Sequence, residues 1–254
     1  MNSTTRAKRR IHGALALAMT LGASADAAAD AQAPAAQQKA IEARTAVLST
    51  RQQAVIPIAA FAAVGEIGRL GKALETGLDA GLTVSDAREV LVQVYAYAGF
   101  PRSLNALGEL MRVLEARRAR GIEDAPGRAP SRPIPKGEAL HAAGTANQTE
   151  LTGSPVRGPV FAFAPAIDEY LKTHLFGDIF ERDNLDWQMR ELATVSMLSA
   201  LSGVESQLRS HMRVSQNVGL SRSQLEQVAD VLGARVAPDA ARRARAALAP
   251  AAQP

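Results

Sequence analysis

Between Leu185 and Leu220 the apolar positions recur at intervals close to three and four. Trp187, Met189, Leu192, Val195, Leu198 and Leu201 form the stripe of a core-facing helix. Gly203 interrupts it, and the pattern predicts a second helix from about Val204 to Asn217, on which Gln207 and His211, four apart, share a face. Gly219 supplies the left-handed stop that glycine tolerates best. The same reading predicts upstream helices from about Lys39 to Gln53, Ile58 to Ala80 with a break at Gly65, Val84 to Ala98 capped by Thr83 or Ser85, and Arg102 to Arg120 with Leu104, Leu107, Met111 and Leu114 inward. Gly99-Phe100-Pro101 reads as a turn, because proline blocks helix continuation. From Gly121 to Pro159 the composition changes to Pro, Gly, Thr and Asn, which predicts a long linker with His141 exposed in it. Helices resume at Pro165. Ser221 or Ser223 caps a last one to about Leu232, and the Ala/Arg-rich run Ala240–Leu248 reads as a solvent-exposed terminal helix.

Composition sharpens this to an all-α fold. Ala, Leu and Arg dominate while aromatics are only 4% of the chain, a mixture that suits helices and starves strands. The absence of any cysteine excludes disulfides, thiolate metal sites and thiol redox chemistry. The formal charge of +4 is a poor guide to partners, because Arg6, Lys8, Arg9 and Arg10 supply four of the cations. That basic start, the apolar run Ala14–Ala23 and the Ala-x-Ala sites after it read as a cleaved export signal over residues 1–29, and so as a periplasmic or secreted bacterial protein. Without those four cations and Asp26, 25 Lys+Arg face 24 Asp+Glu, and nucleic acid is not an expected partner. The apolar run of about ten residues is half of what a membrane span requires.

Sliding the chain on itself by 138 positions aligns Pro57–Val94 with Val195–Leu232 without gaps. The pairs Ala62/Ala200, Gly65/Gly203, Leu70/Leu208, Gly81/Gly219, Leu82/Leu220, Ser85/Ser223 and Val90/Val228 then match. They fall on turn glycines and core positions, where a repeated helical hairpin needs them. The copies differ where chemistry would sit: His211 aligns with Ala73 and Gln207 with Arg69. The organisation expected is an export signal at 1–29, a lead-in and helix at 30–56, repeat 1 at 57–120, a linker at 121–160, repeat 2 at 161–234 and a tail at 235–254.

The motifs in these repeats resemble the carboxymuconolactone decarboxylase family. Arg190-Glu191-Leu192-Ala193-Thr194, Gln207-Leu208-x-x-His211 and Gly219-Leu220-Ser221 carry the likeness in the second half. Gly81-Leu82-Thr83, Glu89-Val90-Leu91 and Tyr95 to Pro101, followed by Asn105-Ala106, carry it in the first. The resemblance covers most of residues 58–118 and 165–232. It implies two tandem, all-helical repeats of the alkylhydroperoxidase-D-like bundle, assembled as a ring-like homo-oligomer, a trimer or hexamer. It further implies an acid–base pair at Glu191 and His211. The Cys-x-x-Cys of the thiol peroxidases in this group is absent; the residues before His211 are Val204, Glu205, Ser206 and Gln207.

Two functions follow as expectations. One is a lyase or isomerase without cofactor, acting on a small carboxylated lactone or related organic acid. In it His211 moves the proton, Glu191 orients the imidazole, and Arg190 or Arg209 holds a substrate carboxylate, with Gln207, Tyr95, Tyr97 and Asn105 as further substrate contacts. The other is a non-catalytic oligomeric binding protein of the same fold. Each residue also has a structural reading: Arg190 and Glu191 as an ion pair at a helix start, His211 as a buried and satisfied histidine, the tyrosines as packing, Asn105 as a backbone bond near a helix start. His12, His141, His174 and His211 show no pair at ligand spacing, so no metal site is expected.

Overall fold

Ser49 starts the first helix by accepting a hydrogen bond from the Gln52 amide while Gln52 reaches back to the Ser49 amide, a reciprocal capping box. The computed structural model describes residues 46–249, and the expected export signal lies outside them. Eleven α-helices and one π-helix occur among these residues, with no strand. They are α1 Thr50–Val64, α2 Ile67–Asp79, α3 Val84–Ala98, α4 Phe100–Ala119, α5 Glu138–Thr152, α6 Pro159–Phe163, α7 Pro165–Tyr170, the π-helix Leu171–Ile179, α8 Trp187–Ala200, α9 Glu205–Asn217, α10 Arg222–Arg235 and α11 Pro238–Leu248. None of them is long and apolar enough to cross a membrane.

Two helices make the centre. On α1 every residue from Ala54 to Ala63 is buried, and on α8 every residue from Met189 to Ser199. A helix enclosed all round must be apolar or internally satisfied on every face. α1 and α8 pack on each other, and each is surrounded by the helices that follow it: α2, α3 and α4 around α1, and α9, α10 and α11 around α8. The rings also cross over, since α3 lies on α8 and α10 on α1. One continuous core results, from Leu48 to Leu248. A second, smaller cluster of Leu151, Leu175, Phe176, Ile179, Phe180 and Val214 seats α5 and the π-helix beside α9, with Tyr95 and Tyr97 packed against it.

Several boundaries depart from the pattern-based reading. One continuous helix replaces the two expected on either side of Pro57, and residues 46–49 precede it without helical structure. The break at Gly65 is present, in the left-handed conformation (φ 75°). Pro101 sits in the first turn of α4, where its missing N–H costs nothing. The inward face of α4 is Ser103, Ala106, Glu109, Leu110, Val113 and Arg117. Leu104 and Met111, expected inside, are 63% and 72% exposed, and Leu107 and Leu114 are half-buried. Small residues let α4 approach α1 and α2 closely, and the larger apolar side chains face outward. The segment expected as a linker contains α5, and His141 lies on that helix, 3.4 Å from Glu169. Nor is the Ala/Arg-rich run a solvent-exposed appendage: Ala240, Ala241, Ala244 and Leu248 of α11 are buried, and Arg243 donates to the Ser199 and Ala200 carbonyls at the end of α8.

α5 crosses the π-helix at backbone contact. A Cβ on Gly144 would lie 1.8 Å from the Lys172 carbonyl oxygen and 2.9 Å from the Gly177 nitrogen. Alanine normally stabilises a helix interior relative to glycine by about 0.5–1 kcal/mol. Gly144→Ala is expected to do the opposite, lowering stability by about 1–3 kcal/mol through overpacking. Gly108→Ala in α4, where nothing lies within 4 Å, is expected to raise it. Urea denaturation of the two variants checks both signs.

Candidate functional site

Asp186 caps α8 by accepting from the Met189 amide, which fixes the helix so that Arg190 and Glu191 follow in its first turns. α9 packs against α8 and brings His211 to Glu191, with Nδ1 of the imidazole 2.9 Å from Oε2 of the carboxylate. The Glu191 side chain is wholly enclosed, whereas that of His211 keeps 14% of its surface open. With Nδ1 engaged by the carboxylate, Nε2 is the nitrogen left for another partner. It makes no hydrogen bond to the described residues and is not among their buried unpartnered atoms.

Tyr97, on α3 of the other half, completes the site. Its ring meets the His211 ring edge-on with centroids 5.6 Å apart. Burial first, and the Glu191 charge second, push its phenol well above the ordinary range, so Tyr97 remains a neutral O–H donor. The hydroxyl of Tyr97 and Oε1 of Glu191 are both buried without a hydrogen-bond partner. Buried polar atoms without a partner are costly, and Tyr97 and Glu191 place two of them at one site.

Beneath the pair lies a buried polar network. Arg182 binds Glu89 with two parallel hydrogen bonds of 2.9 and 2.7 Å. Arg190 reaches the same carboxylate at 3.2 Å, the Gln93 side-chain oxygen at 3.3 Å and the Arg182 carbonyl at 2.9 Å. Gln93 returns its amide to the Arg190 carbonyl at 3.0 Å and to the Thr194 hydroxyl at 2.8 Å. Burial alone would raise the Glu89 carboxyl. The hydrogen bond from Arg182, the Asn184 amide beside it and the charges of Arg190 and Arg182 outweigh that and hold it at about 2. Burial pushes the Arg190 guanidinium below its ordinary range, and the Glu89 charge opposes the shift.

This geometry divides the residues expected at the site. Glu191, His211 and Tyr97 come together. Arg190 does not join them as a ligand for substrate, because its side chain is 0% exposed and committed to Glu89. Gln207 is exposed and engaged with Ser206; Arg209 is exposed and lines a surface depression with Glu205, Arg242 and Arg243. Asn105 is exposed on α4, and Tyr95 is half-buried, stacked on Phe100 with centroids 4.6 Å apart. The residues missed were Glu89, Gln93 and Arg182. Their signal was present: Glu89 and Gln93 on α3, like Arg190 and Thr194 on α8, are polar residues four apart on otherwise apolar faces.

Residues 165–253 match the model of the carboxymuconolactone decarboxylase family. The matched segment is 89 of the chain's 254 residues, and over that length the chain is similar to the family. The carboxymuconolactone decarboxylase match takes in the π-helix and α8 to α11, and therefore Glu191 and His211; Tyr97 and Glu89 come from outside it. The comparison with curated proteins gave no match.

Glu89 titrates near 4.5 when unfolded and at about 2 in the folded protein. Its depressed value gives a contribution to stability that is complete above about pH 4.5 and lost as pH falls towards 2. Glu89→Gln leaves two guanidinium groups without their carboxylate and is expected to cost about 3–5 kcal/mol at neutral pH. The cost should shrink towards pH 2, and denaturant midpoints of both proteins across that range measure it.

Proposed function

We propose that the chain is an acid–base catalyst that needs no cofactor and decarboxylates a small carboxylated lactone or a related organic acid. The observation that carries this reading is the Glu191–His211 pair: an enclosed carboxylate holds Nδ1 and leaves Nε2 without a partner among the described residues, on a side chain that keeps 14% of its surface open. In the reaction the bond from the ring carbon to the substrate carboxylate breaks, carbon dioxide leaves, and the electron pair stays on that carbon. Protonated His211 delivers the proton from Nε2 and recovers it from solvent, while Glu191 stabilises the cationic imidazole. The neutral Tyr97 hydroxyl donates to an oxygen of the substrate that gains charge as the carbon dioxide departs.

The same proposal includes export and self-assembly. The basic start, the apolar run and the Ala-x-Ala sites support a periplasmic or secreted location. Phe100, Leu104 and Met111 form an exposed apolar stripe along α4, which supports a homo-oligomer. A second reading, a binding protein of this fold without turnover, draws on one observation: Arg190, Gln207, Arg209 and Asn105 do not converge on His211.

Carbon dioxide release from γ-carboxymuconolactone decides between them. The wild type is expected to release it, with His211→Ala slower by about 10²–10⁴-fold, the range a positioned acid or base contributes. Glu191→Gln keeps the ring in place without the charge and is expected to fall between the two. Equal release by wild type and His211→Ala would remove His211 from the mechanism. No release by a folded wild type would exclude this lactone as the substrate and shift the balance towards another organic acid or the second reading.

A further inference from the structure

The two halves of the molecule repeat helix by helix. α9 begins at Glu205, 138 positions after α2 at Ile67; α10 begins at Arg222, 138 after α3 at Val84; and α11 begins at Pro238, 138 after α4 at Phe100. The caps recur as well. Thr83 and Ser221 each form a capping box, and Gly81 and Gly219 each turn with positive φ. α3 crosses onto α8 as α10 crosses onto α1, so the site built by Glu191, His211 and Tyr97 has a counterpart elsewhere. At the same offset its three positions are Gln53, Ala73 and Arg235.

A cavity of about 440 Å³ lies there, lined by Ala54, Pro57, Phe61, Ala73 and Thr76 and rimmed by Arg69, Lys72 and Arg235. No acid–base pair survives in it. Alanine replaces the histidine, and Gln53 is turned to the Leu48 carbonyl at 2.8 Å. Three cations and no carboxylate line the walls. Arg69 is anchored: its guanidinium lies 4.2 Å over the Phe61 ring, pairs with Glu66 at 2.9 Å and donates to the Arg235 and Val236 carbonyls. Lys72 and Arg235 are exposed, and their side chains make no ion pair or hydrogen bond among the described residues.

We propose that this cavity is a second, non-catalytic site that binds a small organic carboxylate with a flat apolar body. The volume is that of a small-molecule site, and its composition follows the usual pattern of an apolar floor with few polar groups. Phe61, Pro57 and Ala73 take the apolar body; Lys72 and Arg235 take the carboxylate from the rim, where nothing inside the protein competes for them. The loss of the histidine and the gain of Arg69 and Arg235 separate binding here from turnover at His211.

Benzoate, with benzyl alcohol as its neutral isostere and inorganic phosphate as the anion without an apolar body, tests this on the full chain. Titration followed by amide chemical shifts should move Phe61, Ala73 and Thr76 with benzoate alone. Lys72→Ala and Arg235→Ala should each weaken benzoate by about tenfold or more, as expected for one charge-assisted hydrogen bond. Both substitutions are at exposed positions, and circular dichroism confirms the fold. His211→Ala should leave the benzoate affinity within twofold, whether or not the decarboxylase reading holds. The proposal is overturned if benzyl alcohol binds as well as benzoate, if phosphate displaces benzoate at equal concentration, if the two rim substitutions change nothing, or if no shift occurs at these three residues.

Discussion

A guanidinium with no access to water governs how the two halves fit. Arg190 stands on the central helix α8, and its countercharge, Glu89, stands on α3 of the other half. Neither group is tolerable alone at that depth, because an isolated buried charge costs several kcal/mol. Their pairing, completed by Arg182 and Gln93, therefore admits one register of α3 against α8. Tyr97 lies two turns along α3 from Glu89, and Glu191 lies next to Arg190. The register that satisfies the charges is thus the one that places the phenol over the imidazole. The second half carries Glu191 and His211, but their environment is assembled across the two halves.

Capping chemistry made much of the fold legible. Thr83 and Ser221 signal their helices through short-range bonds with residues three positions on, and Gly65, Gly81 and Gly219 mark turns that need positive φ. Such signals are local, so a sequence contains them whole. The offset of 138 was legible for the same reason. The face of α4 was not, because it carries two apolar stripes; size favoured Leu104 and Met111, whereas close helix packing took the smaller Ala106 and Ser103 inside. α5 was hidden by its flanks, whose prolines and glycines set the reading of the whole segment, and it packs on the π-helix and α9.

At the site, the approach of Glu191 to His211 could be anticipated as the meeting of neighbouring helices, though no distance could. Arg190 was misjudged because an arginine beside a candidate catalytic carboxylate suggests a substrate clamp. Only the three-dimensional arrangement reveals that Glu89, more than a hundred residues earlier, has already claimed it. Long-range pairing of charges leaves almost no trace in one sequence, whereas spacing along one helix leaves a clear one.

Arg243 carries a consequence of a different kind. It caps the last carbonyls of α8 from a position 44 residues further along the chain, and the alanine face of α11 closes the core against the same helix. During synthesis α2, α3 and α4 can reach α1 as they emerge, while its remaining flank waits for α8 and α10. α8 leaves the ribosome with its end uncapped and one flank bare, and stays so until α11 follows. The far end of α8 is thus complete only once a helix more than forty residues further along the chain has packed against it.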